Sequence, residues 1–215
     1  MYIDIKNAFF LIPARKGSKG LPFKNRRLLR STLDVIPKEY LSNVYVSTDD
    51  ELIFTQCEEY GVNLIRRPNE LATDESSVKD VMLHFIEFLN LKNVDIILLY
   101  LTYPERTWSD IINIFHFFKK NRGRSLICAD EITEHPYLCL YDKGDMKGEL
   151  IIPHNLYRRQ DYPKCFKHSL YVGCYKSDEI FFVNDLLINE NTLYFKLSNK
   201  KIDVDTYDDL KKIKK

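Results

Sequence analysis

The sequence predicts a three-layer αβα fold around a mostly parallel, Rossmann-like sheet. Strand-sized apolar runs alternate with amphipathic helical segments along the chain, and the first run leads into a loop with Gly17, Gly20 and Pro22. A chain of 215 residues, 45% hydrophobic and 29% charged, has the size and composition of one globular domain. Alternating strands and helices favour a parallel sheet covered on both faces, with ligands at the carboxyl ends of its strands.

Short apolar or β-branched runs mark the predicted strands. They lie at 8–12, 44–48, 62–65, 94–101, 125–129, 171–175 and 202–204. Strand 8–12 is continuously apolar, which is typical of a strand buried on both faces.

Helices are predicted at 51–60, 76–91, 108–119 and 177–183, and from Thr206 onward. Gly61 is expected to end the first of these, and Thr73 or Asp74 to cap the second. Segment 28–36, which precedes Pro37, is expected to supply only a couple of helical turns. Segment 131–167 is rich in Tyr, His, Pro and Arg and lacks helical periodicity, so we expect a hairpin-like excursion from a single domain spanning 1–215. That excursion could contact a second subunit.

The charge distribution argues against a nucleic-acid partner. A net charge of +1 provides no basic surface for a polynucleotide, and the basic cluster Lys16, Lys19, Lys24, Arg26, Arg27 is confined to one loop. Such a cluster suits a small anionic ligand. We also expect no membrane partner and a cytoplasmic location, because no apolar run is long enough to span a bilayer and the first residues lack a signal-peptide pattern. The five cysteines have no CxxC spacing and are expected to be reduced thiols.

The loop at 13–25 has the composition of a triphosphate-binding site. Glycines allow backbone N–H groups to approach phosphate oxygens, and Arg15 with the lysines can neutralise the charge. Neither GxxxxGK[ST] nor GxGxxG is present. A solvated basic turn is the alternative interpretation.

Residues 12–25, IPARKGSKGLPFKN, match the pattern IPAR-x-GSKG-x-P-x-KN without a gap. The chain therefore resembles the acylneuraminate cytidylyltransferase family, which includes synthetases of CMP-sialic acid and CMP-KDO. The resemblance continues through VSTD at 46–49, RPNELATD at 67–74, LL at 98–99 with Thr102, Pro104 and Arg106, RQ at 159–160 and DVDT at 203–206. It covers nearly the whole chain and implies a nucleotidyltransferase sheet.

The resemblance also implies roles for individual residues. The nucleotide-binding set would be Ala14, Arg15, Ser18, Lys19, Lys24 and Asn25 for phosphates and ribose, with Arg67, Ser76 and Ser77 near the base. The acceptor-binding set would be Tyr100, Thr102, Tyr103, Arg106, Arg159, Gln160 and His168. Arg15, Lys19, Asp203 and Asp205 would be the catalytic residues, and the two aspartates would hold Mg²⁺.

The metal assignment also follows from residue spacing. Residues two apart in a strand point to one face, so Asp203 and Asp205 would converge, and carboxylate oxygens suit Mg²⁺. The alternative is that Asp203 faces solvent and Asp205 caps the last helix.

Three positions depart from the family pattern. Tyr100 replaces a glutamine that faces the sugar acid, Tyr103 replaces a serine, and Val78 replaces a serine near the base. Exchanging an amide for a phenol changes which hydroxyl groups can be bound. Segment 167–175 is more similar to the CMP-KDO synthetases, so the pattern does not single out one sugar.

The implied function is transfer of CMP from CTP to a sialic-acid-like or KDO-like sugar acid, with release of pyrophosphate, for surface glycan synthesis by a homodimer. One alternative is CTP-dependent transfer to a phosphorylated or phosphonate acceptor. Another is a nucleotide-binding homologue without turnover.

Overall fold

A computed structural model describes residues 5–17 and 20–213. The strands are β1 Phe9–Pro13, β2 Val44–Thr48, β3 Asn63–Arg66, β4 Asp95–Leu98, β5 Ser125–Glu131, β6 Leu140–Asp142, β7 Gly148–Leu150, β8 Phe166–Lys176 and β9 Leu193–Lys196. The α-helices are α1 Lys24–Leu33, α2 Glu51–Tyr60, α3 Val78–Phe88, α4 Trp108–Lys120 and α5 Tyr207–Lys212. Within this part of the chain, no helix is both long enough and apolar enough to cross a membrane.

Seven strands form one sheet in the order β3-β2-β1-β4-β8-β5-β9. Every neighbouring pair is parallel except the two that involve β8, which runs antiparallel to β4 and β5. The prediction of a mostly parallel α/β sheet is confirmed. Strands β6 and β7 pair separately as an antiparallel hairpin within segment 131–167.

The hydrophobic core lies on both faces of the sheet, which makes the fold three-layered. Along β1, Phe10 and Ile12 pack into one cluster and Leu11 into the other, as expected for alternating side chains of a central strand. Buried residues of α1, α2 and α4 belong to the first cluster, and those of α3 to the second.

Helix α2 agrees with its prediction at both ends. Asp50 caps its first turn by accepting a hydrogen bond from the Leu52 backbone N–H, and Gly61 ends it in the left-handed conformation at φ 67°. Glycine adopts that conformation without the steric cost borne by other residues. The five cysteines are free thiols, as expected.

The start of α3 differs from its prediction. Ser77 is the capping residue, because its hydroxyl and the Asp80 carboxylate form a reciprocal capping box. Thr73 is instead hydrogen-bonded to Ser76 in the preceding loop. Helix α1 also starts earlier than expected and has ten residues, because it begins within the cationic loop at Lys24.

The predicted strand at 202–204 is wrong. The backbone N–H of Val204 donates to the Thr102 carbonyl, in the loop after β4, instead of joining a β-ladder. The edge strand that pairs with β5 is β9, which the sequence analysis missed. The short helix expected at 177–183 is a 3-10 helix, Ser177–Phe181.

Candidate active site

Two clefts meet near the carboxyl ends of the central strands. The smaller, about 270 Å³, is lined by the loop after β1, by Arg67 and by the N-terminus of α3. The larger, about 1110 Å³, extends towards the excursion and the C-terminal segment. Val78 and Tyr100 line both clefts, so a ligand in one can contact a ligand in the other.

The smaller cleft brings together most of the predicted nucleotide-binding side chains. Those that line it are Arg15, Lys24, Asn25, Arg67, Ser76 and Ser77. Ala14 is buried behind it, and its backbone N–H donates to the Ser47 carbonyl at 2.8 Å. Ser18 and Lys19 lie outside the described residues.

Two hydrogen bonds hold the cationic loop against its neighbouring elements. The Lys16 backbone N–H donates to Asp49 Oδ1 at 2.7 Å, and Asn25 Nδ2 donates to the Arg15 carbonyl at 2.7 Å. Asp49 follows β2, and Asn25 lies in the first turn of α1. The loop is therefore fixed by both of its neighbouring elements, which reduces the ordering that a ligand must impose.

Three cationic side chains face the smaller cleft. Arg15 Nη1 lies 2.6 Å from Asp74 Oδ1, and buried Arg67 donates to Ser47 through Nε at 3.2 Å and Nη2 at 2.9 Å. Burial lowers the pKa of Arg67 to about 10; Asp49 raises it and the charge of Arg15 lowers it further. Arg67 remains charged at neutral pH, so with Lys24 the cleft favours a polyanionic ligand.

The C-terminal segment lies against this loop through Asp205. Lys24 Nζ is 2.6 Å from Asp205 Oδ1. A Cβ atom on Gly20 would lie only 2.4 Å from the Asp205 carbonyl oxygen, so the two backbones approach as closely as glycine allows. Segments almost two hundred residues apart in sequence therefore form one site.

The larger cleft contains several predicted acceptor ligands. Tyr100, Tyr103 and His168 line it. The predicted metal ligand Asp203 lies beside them, and Tyr103 Oη donates to Asp203 Oδ2 at 3.1 Å. Burial raises the pKa of both tyrosines, and the Asp203 carboxylate adds to this effect at Tyr103. Both phenols are therefore protonated hydrogen-bonding groups. Burial lowers the pKa of His168, which favours its neutral form.

The sequence analysis missed a set of lysines around the larger cleft. Lys167, Lys200, Lys201 and Lys212 line it. Lys201 Nζ lies 3.7 Å from Asp110 Oδ2, and Lys212 Nζ lies 2.8 Å from Asp209 Oδ1. The KK pair at 200–201, one residue before the DVDT motif, was the available signal, but only the tertiary structure shows that it faces a cleft.

Four predicted acceptor ligands lie elsewhere. Thr102 lines the smaller cleft. Arg106 is buried beneath the site and donates to the carbonyls of Tyr171 and Tyr100, and burial lowers its pKa to about 10. Arg159 and Gln160 are exposed in a short 3-10 helix of the excursion, outside the described lining of both clefts. This chain alone does not bring Arg106, Arg159 or Gln160 to the acceptor cleft.

The strand expected to turn Asp203 and Asp205 to one face is absent, so the fit of these residues to a magnesium ion depends on where the tertiary structure places them. Within the described ranges, no group of three or more His, Cys, Asp and Glu side chains has a metal-binding arrangement. Two carboxylates are nevertheless sufficient for Mg²⁺, which keeps several waters and takes substrate phosphates as further ligands. Asp203 lines the larger cleft and Asp205 contacts Lys24 of the smaller one, so the pair lies where the two clefts adjoin.

The α/β fold of this chain is similar to a solved structure that contains CTP. A synthetase of CMP:2-keto-3-deoxy-manno-octonic acid, solved with CTP, superposes with a TM-score of 0.68 at 17% identity and covers 96% of each chain. At that identity, the similarity establishes the fold alone.

Sequence comparison finds similarity to cytidylyltransferases. Residues 9–100 match the family model described as cytidylyltransferase. An N-acylneuraminate cytidylyltransferase of Streptococcus agalactiae serotype III is 28% identical over 216 residues, which cover 93% of this chain and 50% of that protein. Post-translational flagellin modification protein B of Campylobacter coli is 29% identical over 213 residues, covering 93% and 90%. The chain is thus similar to cytidylyltransferases, and it spans about half the length of the streptococcal relative.

Proposed function

We propose that this protein is a CTP-dependent nucleotidyltransferase that transfers CMP to a small acidic acceptor and releases pyrophosphate. The observation that carries the proposal is the contact between the cationic loop and the C-terminal aspartates, in which Lys24 Nζ lies 2.6 Å from Asp205 Oδ1. This contact joins a polyanion-binding cleft to two potential metal ligands. The names of the relatives support CTP as the donor and a sialic-acid-like or KDO-like sugar acid as the acceptor.

The smaller cleft is the proposed CTP site. Arg15, Lys24 and Arg67 supply positive charge, and the loop after β1 supplies backbone donors. Ser76 and Ser77 lie at the start of α3, on the side expected to hold the base. The Ser77 hydroxyl is already used in the capping box, so we expect any contact from it to the base to be secondary.

Asp203 and Asp205 are the proposed ligands of Mg²⁺. A bound magnesium ion would supply electrostatic stabilisation of the negative charge on the reacting phosphates. Lys24 pairs with Asp205 Oδ1, and Tyr103 donates to Asp203 Oδ2. These contacts hold both carboxylates in place before the substrate arrives.

The reaction we propose is in-line displacement at the α-phosphorus of CTP. An acceptor oxygen forms a new P–O bond as the bond to pyrophosphate breaks, and the acceptor proton passes to solvent. Arg15 and Lys24 stabilise charge on the phosphates, while the shared wall at Val78 and Tyr100 places the acceptor beside the nucleotide. Positioning and charge stabilisation are sufficient, so no protein nucleophile is needed.

The larger cleft is the proposed acceptor site. Its lysines can pair with an acidic group, and Tyr100 and Tyr103 supply phenolic hydrogen bonds together with flat apolar surfaces for a sugar ring. The lining holds six carboxylates beside its four lysines, so a phosphorylated or phosphonate acceptor, which is the second candidate, would bind next to the lysines. Synthesis of a surface glycan in the cytoplasm remains part of the proposal for the sugar-acid acceptor.

We propose that the excursion at 131–167 contacts a second copy of the chain. Exposed apolar side chains are concentrated there, namely Leu138, Leu140, Tyr141, Met146, Ile151, Ile152, Leu156 and Tyr157. Contiguous exposed apolar residues are typical of interaction surfaces. Light scattering should show a dimer, and Met146→Glu together with Tyr157→Glu should yield a monomer.

Pyrophosphate release tests the enzyme proposal directly. Each of CTP, UTP, ATP and GTP is supplied with Mg²⁺ and a panel of acceptors: sialic-acid-like and KDO-like sugar acids, and phosphorylated and phosphonate compounds. We expect release with CTP and one acidic acceptor class. Release with another nucleotide would contradict the choice of donor, and release with no combination would favour a binding protein without turnover.

Asp203→Asn is the informative variant. It should retain the wild-type circular dichroism spectrum and lose turnover by about a hundredfold or more, because a metal ligand contributes several kcal/mol of charge stabilisation. Asp208→Asn is the matched control, since Asp208 is exposed on α5 and pairs only with Lys211 among the described residues. Equal turnover in the two variants would refute the metal assignment.

A further inference from the structure

We infer that Tyr103 is a positioning residue that holds the Asp203 carboxylate in its metal-binding orientation. The inference rests on the proposed magnesium site and adds a residue that acts through Asp203 instead of touching the metal. The family pattern has a serine at this position, whose shorter side chain could not make the same contact. The arrangement is therefore a feature of this chain.

The hydrogen bond between the two residues is the first step of the argument. Tyr103 Oη lies 3.1 Å from Asp203 Oδ2, and the tyrosine is only 5% exposed. A buried phenol that donates to a carboxylate fixes the rotation of that carboxylate, and the acceptor retains lone pairs for a cation. Groups that orient a metal ligand typically change metal affinity by about 10- to 100-fold when removed.

The Tyr103 ring is itself held firmly. It packs edge-to-face against the Tyr171 ring, with the centroids 5.4 Å apart, and the Arg106 guanidinium lies 6.0 Å from its centroid. Arg106 is anchored in turn by hydrogen bonds to the backbone carbonyls of Tyr171 and Tyr100. Arg106, which was predicted to bind the acceptor, thus supports the floor of the site.

A hydrogen bond from Tyr171 connects these residues beneath the site to α4. Tyr171 Oη donates to Asp110 Oδ2 at 2.6 Å, and Asp110 forms the capping box of α4 with Thr107. Tyr103 is therefore supported by Tyr171 of β8 and by the buried Arg106 guanidinium, and Tyr171 is held in turn by the N-terminus of α4. Rigid supports of this kind keep a ligand within the narrow geometric range that a metal site requires.

Asp203 needs such support because the backbone around it is irregular. Residues 201–205 belong to no strand, so a β-ladder does not set the direction of the side chain. Val204 N–H, which donates to the Thr102 carbonyl at 2.8 Å, anchors only the main chain. Among the described residues, Tyr103 provides the side-chain hydrogen bond that orients the Asp203 carboxylate.

Direct measurement of metal binding tests the inference. Mn²⁺, used as a paramagnetic probe for the magnesium site, is titrated into the full chain without nucleotide and again with CTP, and free Mn²⁺ is followed by electron paramagnetic resonance. Tyr103→Phe retains the ring and its packing but removes the donor, and should weaken Mn²⁺ binding by about 10- to 100-fold. The Mg²⁺ concentration for half-maximal turnover should rise similarly.

Two further variants separate the possible outcomes. Tyr171→Phe retains the ring packed against Tyr103 and removes only the hydrogen bond to Asp110, so its Mn²⁺ affinity should fall much less than that of Tyr103→Phe. Asp203→Asn should abolish the site. If Asp203→Asn loses Mn²⁺ while Tyr103→Phe binds it as well as the wild type, the inference is overturned and the proposed function stands. If the wild type binds no Mn²⁺ with or without CTP, the magnesium assignment falls and the inference falls with it.

Discussion

Replacing Gly20 by alanine tests whether the cationic loop and the C-terminal aspartates form one site. The added Cβ would lie 2.4 Å from the Asp205 carbonyl oxygen, whereas an ordinary van der Waals contact begins at 3.4 Å. One of the two backbones must therefore move by about 1 Å. Such a shift would separate Lys24 from Asp205 and displace Asp203 with it.

The expected cost follows from this overlap. Forcing one extra methyl group into a close-packed contact typically destabilises a protein by about 1–3 kcal/mol. For a chain of this length, each kcal/mol lowers Tm by roughly 2–4 °C, so Gly20→Ala should melt about 2–12 °C below the wild type. Misplacing a catalytic group by about 1 Å can reduce turnover on the order of a hundredfold.

Gly17→Ala is the matched control from the same loop. An ideal Cβ on Gly17 has no heavy atom of the described chain within 4 Å, so this variant should melt at the wild-type temperature. Differential scanning calorimetry and pyrophosphate release measure the two effects separately. If Gly20→Ala melts at the same temperature as Gly17→Ala, the loop and Asp205 are not in close contact.

Two further predictions concern stability. Ser77→Ala removes half of the capping box of α3, so the protein should lose about 1 kcal/mol and roughly 2–4 °C in Tm, and an unchanged thermal melt would exclude Ser77 as the cap. Burial lowers the pKa of His168 from 6.5, so the unfolded chain takes up this proton at a higher pH than the folded chain does. The free energy of unfolding should therefore fall as the pH drops below about 6.5, and His168→Gln should show a smaller fall in urea titrations at pH 7 and pH 5. Identical pH dependence in the two proteins would contradict the burial of a neutral imidazole.

Local patterns were sufficient for most of the elements. Helix α2 and strand β2 lie where their residues predicted, because capping, glycine termination and β-branched content act within a few residues of each other. The loop at 13–25 was likewise identifiable from its glycines and cations, since a binding segment of this kind is contiguous in the chain. Several neighbouring residues can cap the start of α3, and the local pattern does not decide among them. The structure shows that Ser77 is the cap, not Thr73 or Asp74.

The amino-acid sequence by itself determined the α/β class, the family resemblance and the cationic loop, because each depends on residues close together in the chain. Only the tertiary structure decided what lies opposite that loop. In the folded chain, Asp205 contacts Lys24 and Arg106 is buried beneath the site. Lys200 and Lys201 line the acceptor cleft. The strand expected at 202–204 failed for the same reason: its backbone pairs with Thr102, a hundred residues away, and no local pattern encodes that partner.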